Sequence, residues 1–315
     1  MDELLQEIDD LYELVAMKIK EYLPETFQDA QIMVDNIYKP GNIRTGIIVS
    51  RPSESIASVI YLEDAYQKYM DGQWTESEVL RSAADDLVRL HQQTARMEEN
   101  PMLLKDYESY VAMIQPELLN KSQDPAFLEK YAYTYEQPDC IAAYTAQLND
   151  HMKMRITNEI LDVWGISKET LRENAIQNMP DPVFLPLWQV LRGQPEEPAN
   201  GFYQLTNQIR INGAAELMRP EVLEMVGETL KGDYFVLPSW ADEVLCIQSN
   251  GKIPVENLQN ILCQAYDERL SDAVWYYNCS SKQLYDVRTE NDLKELKDSL
   301  EKSAGKKEQR KKKYR

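Results

Sequence analysis

Histidine is almost missing from this chain: His91 and His151 are the only two in 315 residues. A Ser-His-Asp or Cys-His hydrolytic centre, and most zinc sites, would have to recruit one of them. His91 follows Leu80, Ala84 and Leu87 at helical spacing, which reads as a helix-face position at the edge of a core. His151 lies in the turn-like stretch Asn149-Asp150-His151. Both are read as structural or solvated. Cysteine is also scarce. Cys140, Cys246, Cys263 and Cys279 form no CxxC, and none stands at zinc-finger spacing to a histidine. This predicts four reduced, mostly buried thiols. The start Met-Asp-Glu-Leu-Leu is acidic where a secretory leader would be basic and then apolar. Together these features predict a cytoplasmic protein. No run approaches the roughly 18 apolar residues that cross a bilayer. GxGxxG, a Walker lysine and a DxDxDG calcium loop are all absent from the sequence. No cofactor and no metal are expected.

What the chain has in quantity is acid. Asp and Glu number 53 against 34 Lys and Arg, a net charge of -19, which repels nucleic acid and anionic membranes. Pairs such as Asp9-Asp10, Asp85-Asp86 and Glu196-Glu197 read as solvated faces, because neighbours on a helix do not face each other. The end of the chain reverses the sign. Lys306, Lys307, Arg310, Lys311, Lys312, Lys313 and Arg315 stand against Glu308 alone. So like-charged a block predicts a disordered basic tail over 303–315, beginning in earnest near Gly305. Nucleic acid is then an unlikely partner except weakly, through the tail, and in a salt-sensitive way. Membrane attachment is not expected without a lipid anchor or amphipathic helix.

The remaining composition is 43% apolar with 19 Tyr, enough for a core without staples and for about two domains. The expected fold class is α+β: N-terminal helices with a β-hairpin, then antiparallel-sheet units that include a βαββαβ-like segment. An N-terminal helical and hairpin region is expected over 1–125. An α+β region over 126–302 would contain a Pro-rich connector at 180–200. Leu4, Ile8, Leu11, Val15 and Ile19 predict a helix over 3–23, and β-branched runs around Lys39-Pro40-Gly41-Asn42 predict a hairpin over 31–50. Thr75-Glu76-Ser77-Glu78 is a capping box that starts a helix reaching about residue 96. A further helix is predicted over 102–114, stopping near Pro116. Strands are expected within 130–157, and Ser167 caps a helix through Asn178. Five prolines between Pro180 and Pro198 predict a long irregular connector. From Phe202 to Tyr277 the order is βαββαβ, read as a split-βαβ sheet with its helices on one face.

Several phrases carry a family resemblance. Ile60-Tyr61-Leu62-Glu63-Asp64-Ala65-Tyr66, Ile156-Thr157-Asn158-Glu159 followed by Trp164-Gly165-Ile166, Leu205-Thr206-Asn207, Gly213-Ala214-Ala215 and Leu237-Pro238-Ser239 occur in that order. Together the chain resembles the domain of unknown function 5688 family, and more distantly the domain of unknown function 1444 family. The resemblance implies a bacterial cytoplasmic protein and brings no activity with it. One departure stands out. After Leu-Pro-Ser the resembled pattern is Ser-x-His-Glu, whereas this chain has Trp240-Ala241-Asp242-Glu243. A histidine base at that place would be lost here.

Polar residues at a sheet edge mark the place to look for a pocket. Thr206, Asn207, Asn212 and Gly213 fall where a strand meets a helix, and free N–H groups at a helix start can hold an anion. Asn207 or Asn212 as a plain helix cap is the favoured reading of these two. Ser239 and Glu243 lie in the next hairpin loop, where Ser239 lacks an adjacent base and reads as a turn residue. The six form a candidate ligand-binding set, with no catalytic residue among them. The function expected is a cytoplasmic binding or accessory protein whose partner, a protein or a small molecule, is unknown. The alternative is a small-molecule enzyme or ligand-binding domain using the site near Asn207 and Asn212.

Overall fold

The computed structural model describes residues 2–313 except 40–41, 53, 137, 191–200 and 266–268. The chain runs through α1 (Asp2–Lys18), β1 (Gln31–Lys39), β2 (Asn42–Ser50), β3 (Ile56–Ile60), α2 (Glu63–Met70) and α3 (Glu76–Glu99). After a stretch of 3-10 turns come β4 (Ile114–Asn120), α4 (Pro125–Lys130), β5 (Tyr133–Glu136), β6 (Cys140–Asn149), β7 (Met152–Arg155), α5 (Asn158–Trp164) and α6 (Lys168–Gln177). The remainder is β8 (Pro182–Pro186), α7 (Leu187–Val190), β9 (Phe202–Asn207), α8 (Pro220–Leu230), β10 (Tyr234–Leu237), β11 (Val244–Gln248), α9 (Val255–Ala265), β12 (Val274–Asn278), β13 (Gln283–Val287) and α10 (Glu290–Lys313). The chain is an α+β protein. Its contacts divide it into two units: Met1–Gln115, Pro125–Tyr133 and Ala143–Asn178 form one, and Pro116–Asp124, Thr134–Ala142 and Met179–Arg315 the other.

One sheet has the order β1-β2-β3-β7-β6-β4, with β5 also paired to β6. The expected N-terminal hairpin is its edge: β1 and β2 pair antiparallel from Gln31 opposite Ser50 to Lys39 opposite Asn42. The turn residues Pro40 and Gly41 lie outside the described residues. In the first unit α3 packs on β3 through a buried stripe of Val79, Leu80, Ala83, Ala84, Leu87 and Leu90. Its start is the capping box that Thr75 announces: Thr75 Oγ1 accepts from Glu78 N–H, and the Glu78 carboxylate accepts from Thr75 N–H at 2.7 Å.

The second sheet, β13-β12-β10-β11-β9-β8, is antiparallel at every pair. The β10–β11 hairpin forms its centre. Strands β9 and β10 run parallel with β11 between them, and β11 and β12 run parallel with β10 between them, so each half is a split βαβ unit. The helices do not share a face. Helix α9 buries Val255, Leu258 and Leu262 against Phe235, Leu237, Leu245 and Ile247. Helix α8 lies over the other face, where Tyr234 Oη donates to Leu223 O at 3.0 Å. The strand order explains the correction. Both crossovers step in the same direction across the sheet but leave strands of opposite sense. Right-handed connections then put their helices on opposite faces.

Three other stretches depart from expectation. Residues 102–114 form 3-10 turns, at Pro101–Leu104, Tyr107–Ser109 and Val111–Met113, in place of one α-helix. Side chains capture the carbonyls that a helix would need: Trp164 Nε1 donates to Leu104 O at 2.6 Å, and Asn178 Nδ2 donates to Val111 O and Ile114 O. Pro116 sits inside β4, the last strand of its sheet, where an edge tolerates a missing N–H. The Pro-rich connector is likewise partly strand. β8 pairs antiparallel with β9 as the sheet edge, and Phe184 stacks on Tyr203 at 4.9 Å. Last, α10 continues to Lys313, through the segment expected to be disordered. Thr289 Oγ1 accepts from Asp292 N–H and the Asp292 carboxylate from Thr289 N–H, which nucleates the helix.

Candidate functional site

The six residues singled out in sequence come together at one end of the six-stranded sheet, in the second unit. β9 ends at Asn207 beside the β10–β11 loop, because Leu205 pairs with Val244. Thr206 Oγ1 donates to Asp242 O at 2.7 Å, and Ala214 N–H donates to Ala241 O at 3.0 Å. Asn207 works within its own loop: Oδ1 accepts from Ile209 N–H and Nδ2 donates to Ile211 O. Asn212 is left-handed, with φ 52°, and its side chain caps nothing. Ser239 is buried and donates to Glu243 O at 3.3 Å. The Glu243 carboxylate accepts from Gln204 Nε2. Burial pushes the Glu243 carboxyl above its ordinary pKa, opposed by the Gln204 bond and the Arg210 charge.

These residues bond mainly to one another and to their own loops. The anion expected at the start of the 213–218 turn is the protein's own: the Asp242 carboxylate accepts from Asn212 N–H at 2.7 Å. Glycine at 213 leaves room for the close approach of the neighbouring chain. A Cβ there would stand 2.2 Å from Thr206 Oγ1 and 2.3 Å from Asp242 O. The cluster therefore fastens the β10–β11 loop to β9 and the 213–218 turn. Sequence reading did not single out Gln204, and it took Asp242 as a hydrogen-bonding residue of its own hairpin turn without seeing its bond to Asn212. The signal for Asp242 was an acid in a hairpin loop, at the place where the resembled pattern has histidine.

The two histidines are engaged as well. His91 Nδ1 lies 3.6 Å from Glu54 Oε2, with its ring edge-on to Phe27. His151 Nδ1 is 3.0 Å from Val59 O and its ring meets Tyr61 edge-on. The four cysteines are free thiols. Burial pushes Cys140 and Cys246 far above the usual thiol range, so both stay protonated and inert. No group of three or more His, Cys, Asp or Glu among the described residues could hold a metal ion, and no described helix is long and apolar enough to cross a membrane.

A concave site that the sequence did not announce lies in the first unit. It is a cavity of about 240 Å³, half open, between the ends of α3 and α4, the start of β3 and the start of α5. Ile56, Met97, Leu104, Met154 and Ile160 supply an apolar lining. Glu98, Glu129, Lys130, Thr157, Asn158 and Glu159 add the polar part. Several of these groups are fixed. The Glu98 carboxylate accepts from Ile56 N–H at 2.7 Å and from Ser55 Oγ at 2.8 Å. Thr157 Oγ1 accepts from Ile160 N–H and starts α5, and Asn158 Nδ2 donates to Glu129 O at 2.8 Å. Glu129 and Glu159 are exposed. Thr157, Asn158 and Glu159 belong to one of the phrases that carry the family resemblance. No curated protein and no solved structure matches the chain. A model of the family of unknown function DUF5688 matches residues 8–279, most of the chain, so the chain belongs to that family.

Proposed function

We propose that the protein is a non-catalytic, cytoplasmic binding or accessory protein, and that the cavity of its first unit accepts one basic, amphipathic side chain from a protein partner. The observation that carries this reading is the size and lining of the cavity. Small-molecule sites run from about 300 to 1,000 Å³; at about 240 Å³ this one suits a single anchor residue. The apolar lining matches the methylenes of a lysine or arginine. Glu98, Glu129 and Glu159 against Lys130 favour its charged head. A net charge of -19 steers basic partners and repels acidic ones. The polar cluster around Thr206 and Asn207 is occupied with its own loop, which speaks against the alternative of an enzyme or ligand site there.

Met97 and Met154 line the cavity and give the test its probes. Methionine-methyl NMR of the whole chain, titrated with N-acetyl-arginine methylamide, is expected to show saturable shifts at both methyls. The dissociation constant should be of the order of 1 mM, about 4 kcal/mol for one anchor. N-acetyl-glutamate methylamide is expected to move neither. Glu129→Gln with Glu159→Gln should weaken the arginine probe several-fold. No saturable shift, or equal response to both probes, overturns the reading.

A further inference from the structure

Glu216 is a carboxylate that nothing above uses. It is completely buried, in the 213–218 turn, and its Oε1 has no hydrogen-bond partner among the described residues. Its Oε2 accepts from Arg219 Nη1 at 3.1 Å. The same guanidinium reaches across to another stretch of backbone: Nη1 donates to Pro180 O at 3.0 Å and Nη2 to Met179 O at 2.9 Å. Just beyond, Gln208 N–H donates to Asp181 O at 3.0 Å, and β8 follows at Pro182. Arg219 is thus a clip holding the backbone that leads into β8, and Glu216 is the carboxylate behind it.

We propose that Glu216 and Arg219 form a proton-operated latch that fastens the 179–186 segment to the second unit. The latch closes when Glu216 takes up a proton and loosens when it ionises. The argument begins with solvation. A fully buried carboxylate with one oxygen lacking a protein partner is poorly solvated when charged, and its one cation is shared with two carbonyls. Releasing the 179–186 segment uncovers the Arg219 contact and lets water reach the pair. The charged form therefore gains more from opening than the neutral form does. The charged groups around Glu216 are Arg219, which favours ionisation, and Glu221 and Asp181, which oppose it. Burial is the largest influence and lifts the Glu216 carboxyl to about 7. The sign follows. The closed state binds the proton more tightly than the open one. Opening therefore grows with rising pH between the ordinary carboxylate value and about 7, and levels off above.

Hydrogen exchange of the whole chain, corrected for intrinsic rates, tests this. Between pH 5.5 and 7 the amides of Val183, Leu185 and Gln208, which share the hydrogen-bonding parity of the Asp181–Gln208 pair, are expected to lose protection by about tenfold, the effect of one linked proton. Amides of Trp275 and Tyr276 in the middle of the sheet should not follow them. Glu216→Gln keeps the shape without the charge and should hold the segment closed across the range, removing the slope. Arg219→Lys cannot span two carbonyls and should lower protection at every pH while keeping the slope. Flat protection at β8 in the unaltered chain overturns the latch whether or not either variant folds. An equal slope at Trp275 and Tyr276 also overturns it, because the proton would then be linked to global unfolding.

Discussion

Gly213 shows how tightly one residue can be determined by its neighbours. An added methyl would overlap the Thr206 hydroxyl and a backbone carbonyl, and backbone cannot move aside cheaply. Gly213→Ala is expected to cost more than about 2 kcal/mol and to lower the thermal midpoint by several degrees. A midpoint within a degree of the parent chain would mean that the loop relaxes freely. Thr206→Val should cost about 1–2 kcal/mol by leaving Asp242 O without its donor, read in the same melt. The cysteines offer a chemical check on burial. Cys263 is exposed, Cys279 intermediate, Cys140 and Cys246 buried. A thiol reagent such as Ellman's should titrate Cys263 first and Cys279 more slowly. The last two should react only in denaturant, and prompt reaction of all four would contradict the packing.

At the scale of the element, the parts legible in sequence were those whose hydrogen bonds close locally. The Thr75–Glu78 box, the Ser167 cap and the β10–β11 hairpin need only near neighbours, and each lies where the residues place it. Thr75→Ala should therefore cost about 1 kcal/mol, read as a lower urea midpoint with an unchanged slope. The parts not legible were those decided at long range. Residues 102–114 lose their helix to Trp164 and Asn178, more than fifty residues away. Pro116 and Pro182 read as breaks because nothing in a single sequence says which strands will be edges. The candidate site divides in the same way. Thr206, Asn207 and Ser239 were visible as polar residues at strand ends, but the cavity was not. Glu98, Glu129 and Glu159 stand about thirty residues apart and meet only through packing.

For the whole molecule, charge decides the long-range behaviour. With a net charge of -19 and only seven of its 34 Lys and Arg clustered at one end, the full chain should show no duplex DNA binding near physiological salt. In an anisotropy titration well below that salt, weak binding is expected, lost in a chain ending at Ala304 and steeply salt-dependent. Tight binding that survives physiological salt would instead mark a nucleic-acid protein. The division into units has a consequence of another kind. Each is assembled from three separate stretches, and those stretches alternate along the chain between residues 115 and 179. No single cut there releases a whole unit, so neither can be trimmed away or carried alone into another gene. In its ancestry this architecture is expected to be lost or inherited in one piece.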